Sequence, residues 1–93
     1  MGRETKIFQS EEQKSRPELS VFLRHLADKI EAGRATLARG QEKVAVDIPR
    51  NVILELQVED EDKGRKGTQH SLKVEIKWFE QDEQVEGGPV HLE

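Results

Sequence analysis

The side chains with the widest chemical reach in this sequence are His25, His70 and His91. Histidine changes charge near neutral pH and ligates metals through either ring nitrogen. His25-Leu26-Ala27-Asp28 spaces a histidine and a carboxylate three residues apart, which places both on one face of a helix. A catalytic or structural zinc needs at least three protein ligands, and no third one stands in phase with this pair. His70 opens a β-prone run and His91 lies close to the C-terminus. The chain has no cysteine, so it offers no thiolate nucleophile, no disulfide and no cysteine-ligated zinc.

The remaining candidates are weaker. Ser10, Ser15, Ser20 and Ser71 lack the sequence context of an activated nucleophile. Carboxylates cluster in Glu59-Asp60-Glu61-Asp62, but without the alternating Asp-x-Asp-x-Asp-Gly ligands of a calcium loop. Lys63-Gly64-Arg65-Lys66-Gly67 has neither the glycine spacing nor the following helix of a phosphate loop. Trp78 is the single tryptophan. It offers a surface for stacking on a ligand or partner, but its phase with Leu72, Val74 and Ile76 favours the rim of a core, where its indole N–H still needs an acceptor. The expectation is a non-enzyme, with no catalytic residue, no metal site and no cofactor.

Composition bounds what can position such groups. With 93 residues, 33% of them hydrophobic and 37% charged, the chain is long enough for one domain with a small core. No apolar run approaches the ~20 residues of a membrane helix, and the first residues lack the apolar stretch of a secretory signal. The expected setting is the cytoplasm. The net charge is −4, divided unevenly: residues 1–50 carry 10 basic and 8 acidic groups, residues 51–93 carry 5 and 11. Acidic runs repel phosphate, which argues against a general nucleic-acid binder.

One helix is strongly marked. Ser15-Arg16-Pro17-Glu18 has the form of a capping box with proline in the first turn. Leu19, Phe22, Leu23, Leu26, Ala27 and Ile30 then recur at helical spacing, with Arg24, Asp28, Lys29 and Glu31 opposite. Gly33 supplies a left-handed terminator. The spacing predicts a helix over 16–32. Before it, residues 4–9 around Ile7 and Phe8 predict an edge strand.

After the helix the pattern changes to period two. Residues 35–38 and 43–48 flank Arg39-Gly40-Gln41-Glu42, a tight hairpin turn at Gly40. Pro49-Arg50-Asn51 breaks the run. Val52, Leu54, Leu56 and Val58 alternate with Ile53, Glu55, Gln57 and Glu59; Leu72, Val74, Ile76 and Trp78 alternate with Lys73, Glu75, Lys77 and Phe79. Both predict half-buried strands, apolar inward and charged outward, joined by a charged loop over 60–68. Glu55 or Gln57 then faces Lys73 or Lys77 across the ladder. The expected fold is α+β in two layers. One amphipathic helix packs on one face of a mostly antiparallel sheet of four or five strands, in the order β-α-β-β-β-β. A single domain over 1–81 precedes a disordered acidic tail over 82–93, where Leu92-Glu93 has the look of a tag remnant.

These residues resemble a known family, the small bacterial and archaeal Amphi-Trp domain. The resemblance rests on Ile7-Phe8 with Ser10-Glu11-Glu12, on Ser15-Arg16-Pro17-Glu18, and on the helix from Phe22-Leu23-Arg24-His25-Leu26-Ala27-Asp28-Lys29-Ile30-Glu31-Ala32-Gly33. It continues through Pro49-Arg50-Asn51-Val52 to Leu72-Lys73-Val74-Glu75-Ile76-Lys77-Trp78. It covers residues 5–80, and the loop at 60–68 is its least typical part. These positions mostly build the fold, so the resemblance implies an architecture and no catalytic residue.

A helix on one side of a sheet leaves the other side open. The expected interaction surface is that outer face, with Ala45, Ile53, Lys73, Lys77 and Phe79. It implies an interaction or accessory module that binds an unknown protein partner or a second copy of itself. The alternative is weak nucleic-acid binding through Arg39, Lys43, Arg50, Lys73 and Lys77, disfavoured by the scarcity of stacking aromatics. No membrane contact is expected.

Overall fold

Over the residues it describes, a computed structural model gives one α-helix and four antiparallel strands, an α+β fold. It describes residues 2–80 and 87–93. The chain divides into two compact units, residues 1–50 and 51–93.

The first unit holds α1 (Arg16–Ala32), β1 (Arg34–Arg39) and β2 (Glu42–Asp47). The predicted caps form. The Glu18 N–H donates to Ser15 Oγ at 3.2 Å, and the Ser15 N–H donates to Glu18 Oε1 at 3.0 Å. Two amides that the helix itself leaves without partners are thereby satisfied. At the other end Gly33 adopts φ 91°, and its N–H reaches the Lys29 and Ile30 carbonyls, each at 3.0 Å. The Gly33 carbonyl accepts from the Ile48 N–H at 2.9 Å. The helix terminus is therefore tied to the residue that follows β2.

β1 and β2 pair with Arg39 opposite Glu42, which leaves the two-residue loop Gly40-Gln41. Gly40 has φ 61° and no described non-glycine residue has positive φ. That combination is a type II′ turn, which matches strand twist. Ala35 faces Val46 and Leu37 faces Val44. Period-two geometry puts these four on one face. α1 packs on β1, and these four are the least exposed positions of the two strands. Ala35, 5% exposed, is the one buried residue among those described. Leu26, Ile30, Leu37, Val44, Val46 and Ile48 are half-buried around it. The first half of the helical stripe is less covered, with Leu19, Phe22 and Leu23 44–50% exposed.

The second unit is a hairpin of β3 (Ile53–Asp62) and β4 (Thr68–Lys77), connected through a short 3-10 turn at Gly64–Lys66. It is longer than the alternation suggests. The expected loop at 60–68 contracts because Asp60 pairs with His70 and Asp62 with Thr68. His70 Nδ1 lies 2.7 Å from Asp60 Oδ1.

Three expectations are corrected. Residues 4–9 form no strand. Ile7 and Phe8 are adjacent, so a strand would turn them to opposite faces and bury only one; Ile7 is 71% exposed and Phe8 is half-buried. Element order is therefore α-β-β-β-β. The continuous four- or five-stranded sheet is instead two two-stranded ladders, β1–β2 and β3–β4. Pro49, between β2 and β3, has no N–H to give a ladder. Of the expected tail, residues 82–86 lie outside the described residues, and 87–93 are exposed without helix or strand.

Candidate interaction surface

The register of β3 and β4 sorts their side chains onto two unlike faces. Leu54 stands opposite Ile76, Leu56 opposite Val74 and Val58 opposite Leu72. Directly opposed residues point the same way and successive residues alternate. These three pairs therefore make one uncharged face, six residues in area. Most of it is open: Leu54 is 54% exposed, Leu56 39%, Val58 80%, Leu72 72% and Val74 61%.

The opposite face is a lattice of charges. Ile53 faces Lys77, Glu55 faces Glu75, and Gln57 faces Lys73. The like-charged Glu55 and Glu75 are reconciled by Lys77. Its Nζ lies 2.7 Å from Glu55 Oε1 on the diagonal and 3.6 Å from Glu75 Oε1. The hydrogen bond and charge of Lys77 hold the Glu55 carboxyl below its usual range, and Glu55 raises Lys77 in turn. Lys73 Nζ donates to Glu59 Oε1 at 3.0 Å and Gln57 Nε2 to Glu59 Oε2 at 3.3 Å. The Ser71 hydroxyl donates to the Glu59 carbonyl at 3.3 Å.

The residues expected to form an interaction surface divide accordingly. Ile53, Lys73 and Lys77 share the charged face of the hairpin. Ala45 lies on β2 in the other unit, opposite Thr36, and Phe79 follows the end of β4, 53% exposed. The open apolar face uses the residues that alternation assigns to a core. Their phase was the signal; nothing local says whether a face in phase is also covered. Trp78, expected at the core rim, is 37% exposed.

Other candidate chemistry takes the following form. His25 is exposed and borders a shallow, open depression with Lys14, Pro17, Glu18, Val21 and Phe22. Lys14 Nζ stands 5.8 Å from the Phe22 ring centre and 2.8 Å from Glu12 Oε1, whose hydrogen bond raises the Lys14 pKa. Hydrogen bonds from the Ser15 backbone and hydroxyl lower that of Glu18. In the 63–67 turn, the Gly64 N–H donates to Asp62 Oδ1 at 2.8 Å, the Lys63 N–H to the Gly67 carbonyl at 2.8 Å, and the Gly67 N–H to the Gly64 carbonyl at 3.0 Å. Those three amides serve the turn itself. Among the described residues no group of three or more histidine or carboxylate side chains is placed to hold a metal, and no helix is long and apolar enough to cross a membrane.

Compared with known proteins, the chain matches the family model of the Amphi-Trp domain over residues 1–93, its whole length. No curated protein and no solved structure matches it.

Proposed function

We propose that this chain, which belongs to the Amphi-Trp domain family, is a non-enzymatic interaction module of the cytoplasm that works through the apolar face of the β3–β4 hairpin. The observation that carries the proposal is the pairing of Leu54 with Ile76, Leu56 with Val74 and Val58 with Leu72 on a face left largely exposed. A two-stranded hairpin is marginally stable until its apolar face is packed. Contiguous apolar surface on a soluble chain with 37% charged residues is a standard mark of a protein contact. A chain free of cysteine also needs no oxidising compartment.

Two further features favour contact over chemistry. The groups with displaced pKa values, Lys14, Glu18, Glu55 and Lys77, sit in surface ion pairs or a helix cap; catalytic groups are usually perturbed within a cleft. Three of the five basic groups of the nucleic-acid alternative are already matched to carboxylates: Arg39 to Glu42 at 3.4 Å, Lys73 to Glu59 and Lys77 to Glu55. Such pairs leave less positive field for a phosphate backbone.

The test is capture of binding proteins from cell extract by the wild-type chain, by Val74→Asp and by Lys73→Glu. The expected result is that whatever the wild type holds, a further copy of this chain included, is lost with Val74→Asp and kept with Lys73→Glu. The reverse pattern refutes the assignment of the face.

A further inference from the structure

The apolar face has no charge with which to recognise a charged partner. Over its six positions it presents only leucine, isoleucine and valine. The nearest ionisable groups in the same phase are Asp60 and His70, which lie 2.7 Å from each other. On the reverse face, Lys77 and Lys73 pair with Glu55 and Glu59. The patch is also balanced about its middle. The Leu56–Val74 pair is flanked on one side by Leu54–Ile76 and on the other by Val58–Leu72. A two-fold axis through the Leu56–Val74 pair would lay the Leu54–Ile76 pair of one chain over the Val58–Leu72 pair of another. Self-complementarity of this kind is what a two-fold symmetric interface requires.

Resting on the assignment of this face as an interaction surface, we infer that its occupant is the same face of a second copy of this chain, forming a two-layered β-sandwich across a two-fold axis. Its area agrees with that occupant. Leu54, Leu56, Val58, Leu72 and Val74 keep 39–80% of their surface open. Taking ~150–200 Å² for a fully exposed leucine or valine, the open portion is on the order of 500 Å² per chain. Two copies would bury about 1,000 Å², the lower bound for a specific interface. The half-buried Ile76 and the part-exposed Trp78, two residues on, lie at one end of the patch. A second copy also gives each hairpin the packing layer that a two-stranded ribbon lacks.

Stacked sheets lie about 10 Å apart, beyond the Cα separation that a disulfide spans, so a short bis-maleimide is the suitable cross-linker. The chain's lack of cysteine makes each introduced thiol the only one. The full chain is examined by sedimentation equilibrium as wild type and as Val74→Asp. Val74→Cys and Lys73→Cys are cross-linked, and the Val74→Cys thiol is timed against a free cysteine peptide.

The expected result is a wild-type dimer, a dissociation constant raised ~100-fold or more by Val74→Asp, and covalent dimers from Val74→Cys but not from Lys73→Cys. A dimer that cross-links through Lys73→Cys and not Val74→Cys overturns the inference. So does a chain monomeric up to roughly 1 mM, where even weak specific contacts are populated. If that monomer's Val74→Cys thiol reacts like the free peptide, only the second copy is excluded, and the face keeps its role toward another protein. If the thiol is protected, the chain covers its own face and both proposals fail.

Discussion

Replacing Gly33 by alanine isolates the cost of one backbone conformation. Gly33 ends α1 at φ 91°, donates to the Lys29 and Ile30 carbonyls, and accepts from the Ile48 N–H. A methyl group there would meet the Ile48 carbonyl oxygen at 3.8 Å, an ordinary contact. Steric exclusion therefore adds little, and the left-handed conformation sets the penalty. For an L-residue that conformation costs ~1–2 kcal/mol. Stiffening of the unfolded chain by alanine returns ~0.4–1 kcal/mol. At the middle of both ranges the net loss is ~0.8 kcal/mol, which for a domain of this length lowers Tm by roughly 3–6 °C. Asparagine tolerates the left-handed region better, so Gly33→Asn is expected to lose less. Thermal unfolding followed by helical circular dichroism measures both. A Gly33→Ala chain as stable as wild type, or a Gly33→Asn chain less stable than Gly33→Ala, refutes the reasoning.

Ser15→Ala removes the hydroxyl that accepts from the Glu18 N–H and is expected to cost ~1 kcal/mol in the same melt. Ala35→Leu forces extra methylenes into the most buried position of the first unit, 5% exposed and opposite Val46; denaturant unfolding should register a loss of ~1–3 kcal/mol. The carboxyls of Glu18 and Glu55 are lowered in the fold. Their contribution is thus complete at neutral pH and fades as pH falls through their folded values. A pH series of melts should show that acid limb flattened by Glu18→Gln. Lys77 is raised, so its contribution holds below the usual lysine range and disappears as pH climbs through the raised value. Being between exposed side chains, the Lys77–Glu55 contribution should also shrink as salt is added.

Features decided by neighbouring residues were readable from the sequence. Ser15 and Glu18 define the start of α1, Gly33 its end and Gly40 the first turn, because each acts within three or four positions. The match of residues 1–93 to the Amphi-Trp family model agrees with the family resemblance of those same segments. The alternation in β3 and β4 separated an apolar phase from a charged one, and the register then placed Gln57 opposite Lys73 and brought Glu55 to Lys77. Longer-range choices were not readable. Val44, Val46, Leu54 and Leu56 have the same alternating chemistry, so nothing in it separates one ladder of four strands from two ladders of two. The Ile53, Lys73 and Lys77 phase and the Leu54, Val58 and Leu72 phase alternate with equal regularity, so the pattern alone does not say which of the two is left open. Alternation determines which residues share a face, whereas coverage depends on what arrives from elsewhere, and Val58 remains 80% exposed.

The central claim is that the Leu54–Val58 and Leu72–Ile76 face meets another copy of the chain. The most direct measurement is an isotope-filtered nuclear Overhauser experiment on a mixture of labelled and unlabelled full-length chains. The account predicts contacts between chains among the methyl groups of Leu54, Leu56, Val58, Leu72 and Val74. Spectra in which those methyls show only contacts within one chain, at concentrations where the protein is otherwise intact, would contradict it.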